Sequence, residues 1–247
     1  MNTDGLQVVR RLVERGLDRA LSVQQPVVAR HIERLRERRP DASPADVINT
    51  LEKQYLTAVT GMGAAVGGAA AAPGVGTGLS FALSAGEMVS FLETSALFCL
   101  AVAEVHGIEI DDVERRRTLL LAVVLGNSGA NFVEKVAGST GKYWGRLLTD
   151  KIPMAKVKAV NKVLGRWFVT KYGTKQGIVV IGRLAPFGIG AGIGAAGNAA
   201  FGRAVVVGTR RAFGPAPEDF RAPSDPFRSK GGGPGEDEPP AAIIALL

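Results

Sequence analysis

Leu6, Val9, Val13, Leu17, Ala20 and Leu21 recur at three-to-four spacing, followed after Pro26 by Val28, Ile32 and Leu35. That period predicts two short amphipathic helices in an N-terminal segment, residues 1–42, whose polar faces are dense in arginine. Ser43 then stands as N-cap, with Pro44 at the first helical position and Asp46 in the first turn, so a fresh helix begins there. It runs into an uncharged stretch, Val59 to Gly86, which Pro73 and Gly74 interrupt. A helix from Phe81 to His106 is apolar but holds Glu87, Glu93 and Glu104, and Gly107 closes it. Acids at Asp111, Asp112 and Glu114 open the next helix, as the helix dipole prefers, and it ends near Gly126. Between Ala155 and Thr170 the apolar residues Val157, Val160, Val163, Leu164, Trp167 and Phe168 again keep helical spacing. The β-branched run Ile178 to Ile181 has no convincing partner strand and is assigned to the helix that follows. From residue 215 the chain is rich in Pro, Gly and charge, so 215–247 is expected to be a disordered tail.

Small residues change this picture. The run from Val59 to Gly86 and a second from Leu184 to Gly202 carry no charged side chain and consist mostly of Gly, Ala and Ser. An interior Gly costs a helix roughly 1 kcal/mol relative to Ala, so the composition needs a compensating reason. Close approach of helix backbones supplies one. Gly63/Gly67, Gly74/Gly78, Gly188/Gly192 and Gly190/Gly194 stand four apart, the spacing that clears one face of a helix. These eight glycines, with Asn198 as the one polar side chain of the second run, are the candidate helix-packing residues, and they point to helices packed in or on a bilayer.

Charge supplies the second candidate surface. The formal net charge is +7 over 247 residues, and the segment from Lys142 to Lys175 is the most basic. Its amphipathic helix places Lys151, Lys156, Lys158, Lys162 and Arg166 with Trp167 and Phe168, a pattern suited to an anionic membrane surface. Nucleic acid is the competing anion, but no helix-turn-helix, zinc or aromatic-platform motif accompanies the basic patches. If residues 59–83, 86–103 and 118–133 each crossed the bilayer, the two basic segments would lie on opposite sides, against the positive-inside preference. A hairpin or a monotopic bundle at the cytoplasmic membrane is therefore expected. The Arg-rich N-terminal segment does not read as a secretory signal. The mean hydropathy, +0.14, is modest for a polytopic membrane protein and keeps a soluble helical bundle in view.

Reaction chemistry is hard to assemble from this chain. Gly192 to Gly197 satisfies G-x-G-x-x-G literally, but it lies inside a glycine-rich run rather than after a strand. Gly138 to Tyr143 resembles the end of a phosphate loop, yet Val136 stands where the first Gly belongs and Tyr143 where Ser or Thr belongs, so a turn is expected. Glu93 and Glu104 lie about 16 Å apart along one helix, too far to act as a pair. Two histidines, of which His31 is expected in solvent, and the single Cys99 give no metal-ligand spacing. Asn127, Asn131 and Glu134 share a helix face and suit interhelical hydrogen bonds. No catalytic, cofactor or metal residue is assigned, and the chain is not expected to be an enzyme.

The order of elements from about Ser43 to Phe213 resembles the EcsC family of bacterial proteins. Three stretches carry the resemblance: the glycine-rich run leading to LSAGEMVSFLETSALFCLAVAEVHG, then DDVERRRTLLLAVVLGN, then LAPFGIGAGIGAAGNAAFGRAVVVGTRRAFG. In the last, Pro186, Gly190, Gly194 and Asn198 match the family's Pro-then-Gly-rich signature followed by Asn. The resemblance covers residues 43–214 and implies a helical domain linked to the membrane, with no catalytic residues to carry over. The expected protein is all-α: a multi-helix, glycine-zipper bundle acting as an accessory or scaffold protein. Its expected partners are anionic lipids and either a membrane protein or a second copy of itself, without nucleic acid. A soluble helical domain that binds lipid or another apolar ligand is the alternative, and a hydrolase or proton-transfer enzyme using Glu87 or Glu93 is a third reading.

Overall fold

The computed structural model describes residues 17, 18, 20–22, 25–70, 77–138, 143–148, 152–183 and 189–220. Among these the chain is all-helical. Seven α-helices run α1 Gln25–Arg38, α2 Pro44–Ala70, α3 Thr77–Val105, α4 Val113–Leu125, α5 Asn127–Ala137, α6 Met154–Arg183 and α7 Ile189–Phe213, with a 3-10 turn at Trp144–Leu148 before α6. Ile178 to Ile181 belongs to α6 rather than to a later helix.

Local chemistry sets the helix ends. At the start of α2 the Ser43 N–H donates to Asp46 Oδ2 at 3.0 Å and the Asp46 N–H to Ser43 Oγ at 3.2 Å, a reciprocal cap that satisfies two otherwise unpaired donors. Those Ser43 bonds hold the Asp46 carboxyl below its ordinary pKa. Helix α3 ends on Gly107 at φ 64, with the Gly107 N–H donating to Glu104 O and the Ile108 N–H to Ala103 O. This double closure requires a left-handed residue, which glycine supplies without strain. Asp112 caps α4 by accepting from the Arg115 N–H at 3.0 Å, and Gly126 at φ 68 turns α4 directly into α5.

The core lies at the far end of α3. From Leu97 to Ala103 every side chain is buried, as is every one from Thr118 to Leu125 in α4, so both are central helices apolar on all sides. Trp144, Leu148 and Phe213 close this core. Arg115 is itself buried and donates to Leu148 O and Ile152 O, both at 3.0 Å, tying the 3-10 turn to α4. Asn161 binds α6 to α4 by accepting from Thr118 at 2.8 Å and donating to the Glu114 carboxylate at 2.7 Å.

Two boundaries differ from the sequence expectation. Leu17, Ala20, Val28 and Ile32 join the main core, so the described part of the N-terminal segment packs as part of the body. Residues 215–220 do likewise: Ala216 and Phe220 rest against the core, and the Arg36 guanidinium sits 4.4 Å from the centre of the Phe220 ring. Both arise from apolar side chains too sparse to register in composition.

The closest helix pair is α2 and α7, which run antiparallel. Gly63 lies against Gly194, Val59 against Asn198, and Gly202 against Tyr55, Leu56 and Val59. A Cβ on Gly63 would fall on the Gly194 carbonyl, 2.8 Å from its carbon, and one on Gly194 would come within 3.4 Å of the Gly67 Cα. Gly192, two residues away and therefore on the other side of α7, has open space. Gly194→Leu is expected to lower the unfolding free energy by at least about 3 kcal/mol because the helices must separate. Gly192→Ala should raise it by about 0.5–1 kcal/mol. Urea denaturation of both variants checks the contrast, and similar effects at the two positions would contradict this packing.

Candidate functional site

A polar lock sits in the small-residue seam. The Asn198 amide donates to Val59 O at 2.9 Å and to Glu87 Oε1 at 2.8 Å, so one buried side chain joins α2, α3 and α7. Glu87 is therefore engaged in interhelical hydrogen bonding. Further along, Tyr55 and Ser95 pair at 2.9 Å, and Arg210 binds both Glu52 oxygens, with its Nε at 2.6 Å. Cys99 is buried beside Thr209 at 3.3 Å, and burial pushes its thiol up to about 12, which makes it inert.

The candidate glycines divide between two faces. Gly63, Gly67 and Gly194 meet in the seam with Asn198, whereas Gly192 is exposed. Gly78 and Gly190 lie within α3 and α7, and Gly74 and Gly188 fall outside the described residues. Gly202 belongs to the seam and was missed, although the series Gly190, Gly194, Asn198, Gly202 repeats every four residues. Opposite the seam, the same helices expose Gly61, Ala65 and Ala69 on α2 and Gly192, Ile193, Ala196 and Ala200 on α7. That outer surface is free of charge from Val59 to Ala70 and from Ile189 to Gly202.

On α6, Lys156, Lys158, Lys162 and Arg166 are exposed and Trp167 is 40% exposed, its ring 5.1 Å from that of Phe132. Phe168 corrects the expectation: at 1% exposure it is a core residue, because it continues the buried row Val157, Val160, Leu164. Lys151 lies outside the described residues. Among the described residues one helical segment, Gly86–Val105, is long and apolar enough to cross a membrane, and 78% of it is buried inside the bundle.

The remaining candidates resolve into packing. Arg211 of α7 donates to Asn127 at 3.0 Å, Asn131 at 2.7 Å and Glu134 at 3.2 Å, so the polar face of α5 is a clamp on one guanidinium. Gly192 to Gly197 lies inside α7, where no loop can cradle a pyrophosphate. Gly138 is the left-handed cap of α5, so the GSTGKY segment begins as a turn. No group of three or more metal-ligating side chains occurs among the described residues. His31 is half-buried rather than solvated, and burial, with Arg34 and Arg38 nearby, holds its pKa below the ordinary value against a raising contact from Gln54.

His106, which the sequence did not single out as a site, caps the C-terminus of α3 and stacks on Phe213 with ring centres 5.7 Å apart. Both its ring nitrogens are buried without a hydrogen-bond partner. Burial, with Arg146 adding repulsion, lowers its pKa to about 4. No protein-family model matches this chain, and neither a curated protein nor a solved structure matches it significantly. The class the fold defines is a helical bundle joined by a small-residue seam.

Because His106 ionises less readily when folded than when unfolded, the unfolded chain takes up more protons between about pH 6.5 and 4. The fold is unaffected by this group above that window, loses stability as pH falls through it, and levels off below it. Melting temperatures of the native chain and His106→Phe should run parallel from pH 8 to 7 and diverge toward pH 4.5, the native chain falling further. Parallel curves throughout would contradict the assignment.

Proposed function

We propose that this is an EcsC-like accessory or scaffold protein that docks on the cytoplasmic membrane as a monotopic bundle. The observation that carries the reading is the exposed, charge-free outer face shared by the end of α2 and the start of α7. From Val59 to Ala70 that face measures roughly 16 Å along the helix, about half the hydrocarbon thickness of a bilayer. It therefore suits insertion into one leaflet.

The boundary of the uncharged region supports the same orientation. Arg166 and Trp167 are exposed on α6, and charge resumes on α7 at the exposed Arg203. Cations with an exposed Trp at the edge of an apolar region match the interfacial belt of membrane-bound proteins. The burial of Gly86–Val105 argues for monotopic insertion over a spanning helix. Docking presents the opposite end of the bundle to a membrane-protein partner.

Flotation tests the reading. The full chain should rise with vesicles of phosphatidylcholine containing a third phosphatidylglycerol. Ala65→Glu combined with Ile193→Glu, both at exposed positions, should abolish flotation while leaving the helical circular-dichroism spectrum intact. Reversing Lys158 and Lys162 to Glu should weaken binding at least tenfold, at about 1 kcal/mol per basic residue near the surface. Flotation unchanged by the double-Glu variant would contradict insertion through this face.

A further inference from the structure

At the end of the bundle away from the uncharged stretches of α2 and α7 lies a cleft of about 470 Å³, within the usual size of small-ligand pockets. Ile48 of α2 with Phe98 and Val102 of α3 give it apolar walls. His106 lines it, and lines the neighbouring groove beneath Gly107 as well. Tyr143 stands at the cleft's edge with φ 84, the one positive φ at a non-glycine among the described residues. Its ring lies over Gly214, where a Cβ would come within 2.6 Å of the ring carbons. Strain of this kind costs of order 1–3 kcal/mol and persists where the surroundings over-determine it, commonly at ligand sites.

We propose that this cleft binds a compact, uncharged molecule with an apolar ring body and one hydrogen-bonding group, which pairs with a ring nitrogen of His106. Two buried nitrogens without a hydrogen-bond partner on one side chain are a cost in a folded protein, and such groups call for a partner. His106 follows the last residue of α3, and because both its nitrogens are buried against the bundle, binding requires the ring to swing off Phe213 toward the cleft it lines. A neutral ligand suits the groups that line the cleft, where the one cation, Arg210, is already bound by both oxygens of Glu52 and Arg146 stands behind the Tyr143 ring.

The occupant is a free solute rather than a lipid. His106 lies nineteen residues beyond Glu87 on the same helix, roughly 28 Å along its axis, so the cleft is remote from the uncharged pole. The inference is thus independent of membrane docking.

Calorimetric titration of the full chain without vesicles tests it, using 2-naphthol as probe, naphthalene as its counterpart without a hydroxyl, and 2-naphthoate as its anionic counterpart. Saturable one-to-one binding of 2-naphthol is expected, with naphthalene about tenfold weaker, the worth of one hydrogen bond. Binding of 2-naphthoate should be at least as weak as that of naphthalene. His106→Phe should reduce 2-naphthol to the affinity of naphthalene, and Ala45→Trp, at an exposed position lining the cleft, should remove binding of both. The proposal is overturned by absence of saturable 2-naphthol binding or by tighter binding of 2-naphthoate. It is equally overturned by binding that survives Ala45→Trp or by a hydroxyl preference that survives His106→Phe. Vesicle flotation of the same preparation reads the membrane reading separately.

Discussion

The approach of two backbones, α2 and α7, governs this molecule. Where Gly63 meets Gly194, neither helix has room for a Cβ, and the same register sets Val59 on Asn198 and Gly202 on Tyr55. The entropic cost of so many helical glycines is offset by this contact, which a bulkier pair of helices could not make. Everything around it inherits the register. Asn198 can reach Glu87 only because α7 lies that close to α2, and that bond fixes where α3 crosses them. At the other end Arg210 meets Glu52, and the last turn of α7 delivers Phe213 to the core beneath His106.

This constraint also explains why an uncharged sequence yields two kinds of surface. A helix built almost wholly of Gly and Ala has no polar face to turn outward, so once one side is sealed against a partner the other remains apolar by default. The outer positions Ala65, Ala69, Ile193 and Ala196 are such a remainder. The apolar half of α3 takes the opposite course: its large side chains fill the interior, and a segment long enough to span a bilayer is mostly occupied by protein neighbours. Hydropathy alone does not separate these cases, because it counts side chains without saying what covers them.

Much of the architecture was legible in the sequence because its signals are local. Ser43 with Asp46, Asp112 with Arg115, and the left-handed glycines at 107 and 126 act within a few residues of themselves, so the helix ends followed from residue type. The four-residue glycine spacing was legible too. Which of two interleaved series faced the partner was not, since Gly192 and Gly194 differ only in the side of α7 they occupy. Trp167 and Phe168 posed the same problem at the border of an amphipathic face, where neighbours one residue apart point roughly 100° away from each other. Arg115 looks like any surface cation in the sequence, and only the fold brings it two backbone carbonyls. The cleft was least legible, because its walls come from α2, α3, Tyr143, the end of α7 and the chain beyond it, and because a lone histidine at a helix end carries no spacing signal.

The most direct test of the α2–α7 seam is a disulfide. A Cβ built on Gly68 lies 3.7 Å from the Cβ of Ala191, within the range that a cystine requires. The full chain carrying Gly68→Cys and Ala191→Cys should oxidise rapidly to a single intramolecular crosslink, with buried Cys99 taking no part. The pair Gly61→Cys and Ala191→Cys should not. Crosslinking that joins two copies, or none at all, would mean that the glycine-rich helices face other chains or lipid rather than each other.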